Sequence, residues 1–269
     1  MQKNSLTRVY GGLKIEPLSF DDTRLLKLIC YPSNENCDIR TKILELKELG
    51  VRPCIGGHVE IHGGLQVLGK GTTSIVTFGL INNTVVALKI LRCDSNRDSL
   101  EKEAKILQLV NNVGVGPKLI LYSKNFLAVE LVKGRPLDEI LLKGSFTCIS
   151  RTLEKLLSQC FKLDFIGIDH GELSTPKKHV YVYRCNPTII DFETASFSRR
   201  PSNLTAIIGH VFFKKTVMSE RIRSLFKFNN LRLQKLKENL KIYKKKPEYD
   251  QFLVIKNIIF NNEINLENT

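Results

Sequence analysis

Lys89 stands in the middle of an apolar run, VVALKIL, and no other feature restricts the fold of this chain so strongly. An ammonium among β-branched and aliphatic neighbours has to be met by a buried acid, because an unpaired buried charge is very costly. The strand that carries it therefore needs an acid-bearing element packed across it. Asp98 to Val110 has helical periodicity and places Glu103 fourteen residues after Lys89. Glu101 is the neighbouring alternative and is expected to face solvent.

Around that pair, Leu65 to Val132 reads as strand, glycine turn, strand, strand, helix, strand, strand. IVTFGLI and TVVALKILR are separated by Asn82-Asn83, a tight-turn pair, and KLILYS and FLAVELV follow the helix. Residues 18–50 read as two helices. The first, SFDDTRLLKLI, opens on Ser19 as cap and ends at Pro32; the second carries Ile39, Ile43, Leu46 and Leu49 on one face and stops at Gly50. HVEIHGGLQV then alternates as a hairpin about Gly63-Gly64. Residues 136–166 return to helix, VYVY and TIIDF are short strands split by a turn at Arg184 to Pro187, and the remainder is helical with a polar tail. This distribution predicts an α+β fold with any domain boundary near residues 50–60, and makes residues 1–56 a helical extension that is either winged-helix-like or a structural cap.

No stretch reaches the roughly 18 uncharged apolar residues of a membrane span, and MQKNSLTRVYGG lacks the apolar core of an export signal. The expectation is a cytoplasmic protein with no membrane partner. The seven cysteines are scattered without a CxxC pair, so they are expected to be reduced and to build neither a zinc site nor a disulfide framework. The net charge is +14, and Phe197 to Thr269 alone holds fifteen Lys/Arg against six Asp/Glu. That excess suits either a solvated helical face or a phosphate-rich partner, RNA or a ribonucleoprotein.

Four segments carry chemistry. In LGKGTTSIV, Gly69 and Gly71 free the backbone to close over a phosphate before Val76 begins the next strand, and Ser74 stands where a third glycine often occurs. Lys89, steadied by Glu103, is suited to the α- and β-phosphates of ATP. AVELVKGRPLDEI resembles a kinase hinge, which implies that the backbone of Glu130, Leu131 and Val132 meets an adenine edge, and Gly134 allows the following turn. Finally, IDHGELSTPKKHVYVY brings His170 and Glu172 ahead of Asp191-Phe192-Glu193. An Asp ending a buried apolar strand needs a metal or strong donors. A zinc or di-iron reading of this cluster matches no familiar ligand spacing.

In this order the residues resemble the small archaeal predicted serine/threonine kinases, distantly similar to RIO kinases and to the kinase of the KEOPS tRNA-modification complex. The resemblance covers about residues 65–200 and implies a bilobal protein-kinase-like fold, with residues 57–132 as a lobe of antiparallel sheet plus helix and residues 133–269 as a mainly helical lobe with a basic C-terminus. It implies Mg²⁺ (or Mn²⁺) and ATP as cofactors, and transfer of a phosphoryl group to a Ser/Thr of a protein substrate. It further implies Asp191 as the metal ligand and Glu172 in the place of the catalytic Asp, with Asp169 as a rival base. A two-residue insertion puts His179, rather than Lys177, at the position of the metal-binding Asn. Glu193 replaces the glycine of DFG and either adds a metal ligand or restricts the loop. No APE follows, and Arg199-Arg200 are expected to meet a phosphate or an acidic partner. The departures leave other readings open: a pseudokinase or nucleotide switch in ribosome or tRNA maturation, or a small-molecule kinase of the aminoglycoside or choline type. A DNA-binding regulator acting through residues 18–64 is the weakest, since basic and acidic residues nearly balance there.

Overall fold

The computed structural model describes residues 8–10, 12–33, 35 and 37–261. It divides into two compact units, one running to Gln108 and including Pro117–Leu131, the other holding Leu109–Gly116 and the chain from Val132 onward.

In chain order the first unit contains β1 (Arg8–Tyr10), β2 (Leu13–Pro17), α1 (Thr23–Ile29), α2 (Ile39–Glu48), β3 (Arg52–Ile55), β4 (Val59–Ile61), β5 (Leu65–Val67), β6 (Gly69–Lys70), β7 (Ser74–Ile81), β8 (Thr84–Leu91), most of α3 (Glu101–Asn112), β9 (Leu119–Tyr122) and β10 (Phe126–Glu130). Its main sheet is antiparallel, in the order β1-β2-β3-β7-β8-β10-β9, with β6 also paired to β7. The β7–β8 ladder runs from Ser74 opposite Leu91 to Ile81 opposite Thr84. Asn82 and Asn83 close it with φ of 46° and 66°, the left-handed pair that a two-residue hairpin turn demands.

The helical extension expected over residues 1–56 does not stand apart from this sheet. β2 and β3 lengthen it, and Leu25, Leu28, Ile29 and Leu46 of the two helices share one core with Ile75, Val86, Leu88, Ile90 and Phe126. Glu45 of α2 accepts from the Asn125 backbone at 3.0 Å and its side-chain amide at 2.6 Å, holding the β9–β10 turn. The cap of α1 is Asp22, whose carboxylate accepts from Arg24 N at 2.9 Å, and not Ser19. With β2 running to Pro17, the chain needs Leu18–Asp22 to turn before the helix begins.

The second unit contains β11 (Arg135–Pro136), α4 (Leu137–Lys143), α5 (Phe146–Phe165), a 3₁₀ turn at Pro176–Lys178, β12 (Val180–Tyr183), β13 (Asn186–Ile189), α6 (Asn203–Ile208) running into a π turn at Gly209–Phe213, α7 (Val217–Leu225), α8 (Asn230–Lys245) and α9 (Tyr249–Phe260). α5 is the spine. Ser145 caps it, and Ile149, Leu153, Leu156, Cys160 and Leu163 recur at helical spacing and are buried. Phe161 stacks on Phe252 of α9 with centroids 4.6 Å apart. Helix α8 turns Leu236, Leu240 and Tyr243 inward and leaves Lys235, Lys237, Lys241 and Lys244 exposed.

A buried polar knot ties α5 to α6. Asp164 accepts from Asn203 N (2.9 Å), Asn203 Nδ2 (2.8 Å), Leu204 N (3.0 Å) and the Tyr243 hydroxyl (2.9 Å). Burial still lifts its carboxyl to about 6, although these hydrogen bonds pull the other way.

The expectation of reduced cysteines is corrected. Cys30 is bonded to Cys37, and Cys148 to Cys185, with Cys54, Cys93 and Cys160 outside these two disulfides. The pairing follows from Cα approaches of 5.5 and 5.2 Å. Neither approach can be read from sequence spacing. Among the described residues, no helix is long and apolar enough to cross a membrane.

Candidate functional site

In the first unit the sheet positions Lys89 by register. Val76 lies opposite it on one side and Leu127 on the other, so all three point to one face. Its ammonium donates to Glu103 of α3 at 3.0 Å (Oε1) and 2.8 Å (Oε2), and both residues are buried. The alternative, Glu101, is exposed and approaches Lys105 at 4.0 Å.

The glycine turn ahead of β7 is a closed hairpin. Gly69 pairs with Val76, Gly71 N donates to Ser74 O at 2.8 Å, and Arg92 reaches back from the end of β8 to Gly71 O at 2.7 Å. Ser74 is the first residue of β7, opposite Leu91, and is buried. Glu130 ends β10, its N–H donating to Lys118 O at 2.9 Å, and the chain leaves the unit through Leu131 and Val132. Gly134 then sits at φ 120°, where a Cβ would fall 2.3 Å from Val182 O, so β11 can lie against β12 only if this residue is glycine.

In the second unit a neutral histidine organises the cluster. His170 is fully buried, and burial holds its pKa down at about 4. The carbonyl of Ile190 lies 3.0 Å from Nε2 and can only accept, which places the proton on Nε2. That contact fixes the backbone immediately before Asp191, which follows the end of β13 and adopts φ 65°. Glu172, His179 and Asp191 each bring one ligand atom within 4.8 Å of the others, and Glu193 brings a carboxylate oxygen equally close to Asp191. His179 Nε2 is 3.8 Å from Glu172 and Nδ1 is 4.0 Å from Asp191, both beyond hydrogen-bond length. The ring is buried, and its Nδ1 has no hydrogen-bond partner among the described residues. A buried imidazole with one nitrogen toward each of two carboxylates suits a divalent cation, for which His179, Asp191 and Glu172 form one candidate ligand set. Lys177 lies in the 3₁₀ turn and is exposed, so His179 is the residue delivered to the carboxylates.

Asp169 and Glu172 are placed very differently. Asp169 is turned into the protein, accepting from Arg199 Nε at 2.9 Å and from Ser202 N and Oγ at 3.1 Å. Its backbone bridges to Ser196. Its carboxylate is occupied by these donors within the protein. Arg199 is engaged by Asp169 and Thr194 O, while Arg200 donates to the Lys245 carbonyl. Glu172 is half-exposed, and the Thr194 hydroxyl, with one proton to give, lies 2.8 Å from His170 O and 3.2 Å from Glu172 Oε2. Gly171, between His170 and Glu172, has φ 91° and no room for a Cβ beside Arg199 and Thr194.

Two contributors went unseen in the sequence. Thr194 steers Glu172, and Asn203 accepts from His170 N at 2.9 Å. A hydroxyl directly after the DFE run was the only available signal for the first, and nothing marked the second. No protein-family model matches this chain, and no curated protein matches it.

Proposed function

We propose that the chain is an atypical ATP-dependent phosphotransferase acting on a protein Ser/Thr hydroxyl. The observation that carries the reading is the Lys89–Glu103 pair, an ammonium buried in an apolar sheet and held by both oxygens of one carboxylate. Such a pair presents a fixed positive charge of the kind that orients nucleotide phosphates. Asp191, with either His179 or Glu193, would hold Mg²⁺ or Mn²⁺. A bound divalent cation supplies neutralisation of the β- and γ-phosphates. Glu172, exposed enough to meet an acceptor and oriented by Thr194, takes the proton of the attacking hydroxyl. His170 stays neutral and keeps the Ile190–Asp191 backbone in place.

The test is transfer of labelled γ-phosphate with Mg²⁺ or Mn²⁺, alongside nucleotide binding, in wild type, Lys89→Ala and Asp191→Ala. Label transfer by the wild type that disappears in both variants supports the reading. Metal-dependent binding with no transfer to any acceptor turns it into a nucleotide switch. Absence of nucleotide binding by the wild type refutes it.

A further inference from the structure

Lys42 is a buried cation in α2, with only 4% of its surface exposed beside Leu46. Its ammonium donates to Ile29 O at 2.7 Å, to Leu91 O at 2.8 Å and to Cys93 Sγ at 3.5 Å. These three acceptors match its three protons, and none is a carboxylate. Burial pushes the Lys42 pKa down, the mark of an ammonium short of negative charge. Of the three acceptors, the sulfur of Cys93 alone can become an anion.

Two more sulfurs lie beside it. Sγ of Cys30 and Sγ of Cys37, joined to each other, both come within 4.8 Å of Cys93 Sγ. The backbone keeps them together, since Cys93 N donates at 2.9 Å to the carbonyl of Tyr31, the residue after Cys30. Cys93 is partly exposed, whereas the other cysteines outside the disulfides, Cys54 and Cys160, are buried. A cation, a reachable sulfur and an adjacent disulfide are the parts that thiol–disulfide exchange needs.

We propose that Cys93 is the attacking thiol of an internal exchange with the Cys30–Cys37 bond, assisted by Lys42. Cys93 loses its proton to solvent as its sulfur bonds to Sγ of Cys30. The Cys30–Cys37 bond breaks, and Cys37 departs as a thiolate that takes up a proton. One disulfide and one thiol stand on each side of the reaction, so no outside oxidant or reductant enters. Cys30 is the sulfur attacked because it is buried at the end of α1, while the partly exposed Cys37 can leave toward water. The exchanged bond ties α1 to the second residue beyond β8, the strand of Lys89. The proposal stands independently of phosphotransfer.

Peptide mapping tests it directly. Cleavage after Lys and Arg puts Cys30 and Cys37 on one peptide, residues 28–40, and Cys93 on another, residues 93–97. The full chain is equilibrated in a glutathione redox buffer, its free thiols are capped with N-ethylmaleimide at low pH, and it is digested and read by mass spectrometry. The expected result is two populations: 28–40 bridged internally with Cys93 capped, and 28–40 linked to 93–97 with Cys37 capped. In Cys37→Ser the linked peptide becomes the dominant form. In Lys42→Met, which removes the hydrogen-bond donor to Cys93 Sγ, the share of the linked peptide falls relative to wild type. A wild type that yields only the internal bridge overturns the proposal, as does a Cys37→Ser chain whose Cys30 and Cys93 both stay capped in the oxidising buffer. The second variant keeps the test decisive if Lys42→Met does not fold.

Discussion

Replacing Asp169 and Glu172 separately divides scaffold from chemistry within three residues of chain. Asp169→Ala deletes a carboxylate that accepts three hydrogen bonds, two from Ser202 and one from Arg199. The Ser202 bonds are each worth about 1 kcal/mol, and the Arg199 bond is held to about the same because Arg199 is half-exposed and rehydrates. The expected loss is about 3 kcal/mol, which lowers the melting temperature by roughly 10 °C for a unit of this size. Glu172→Gln loses little stability, about 0.5 kcal/mol or less, since the side chain is half-exposed and the amide oxygen still accepts from Thr194. Its phosphotransfer rate is expected to fall about 100-fold or more, the usual contribution of a positioned base. Thermal unfolding followed by circular dichroism, with transfer assayed at 20 °C or below (roughly, well under either melting point), reads both quantities. An Asp169→Asn chain that melts like wild type yet has lost all transfer refutes the assignment. So does a Glu172→Gln chain as unstable as Asp169→Ala.

The other predictions concern charge. Lys89→Met leaves a buried carboxylate without its ammonium and should cost about 3–5 kcal/mol in urea unfolding, whereas Lys89→Met with Glu103→Leu should recover most of that loss; equal instability of the single and double variants would contradict the pairing. Because the Asp164 carboxyl is lifted from 3.8 to about 6, the folded chain holds that proton more tightly than the unfolded one. Its contribution to stability is therefore greatest below about pH 4, falls by roughly 3 kcal/mol as pH rises to about 6, and is flat above. Chemical denaturation across that range should show the fall in wild type and a shallower slope in Asp164→Asn. In the cation cluster, the imidazole of His179 favours Mn²⁺ over Mg²⁺, and His179→Asn should narrow the ratio of their affinities about tenfold in titration calorimetry without nucleotide; an unchanged ratio places His179 outside the metal's ligands.

The long periodic segments were legible in the sequence because each element there repeats its own signal. The β7–β8 hairpin, the helix bearing Glu103 and the apolar stripe of α5 all fall where alternation or helical spacing puts them. β2 and β3 were not legible, since each is only four or five residues long and joins the sheet by pairing with distant partners, Glu16 with Ile55 and Cys54 with Phe78. Lys42 read as one more polar residue on a surface helix, because the carbonyls that hold it come from Ile29 and Leu91. Asp169 was indistinguishable from a base for the same reason: its partners lie some thirty residues later, at Arg199 and Ser202. Lys89 with Glu103 was legible because a charge in an apolar strand announces that a partner exists, and only one helix lay near enough in sequence to supply it.

The left-handed backbone at Asp191 has a consequence for how this chain can be improved. A residue with a Cβ at φ 65° is strained relative to glycine, by about 1 kcal/mol, and Asp is among the few that endure it. Selection for thermal resistance alone would thus favour glycine at this position and, in doing so, erase the carboxylate. Any search for hardier variants of this protein that scores folding without scoring ligand binding is steered toward losing the very group on which the cluster depends.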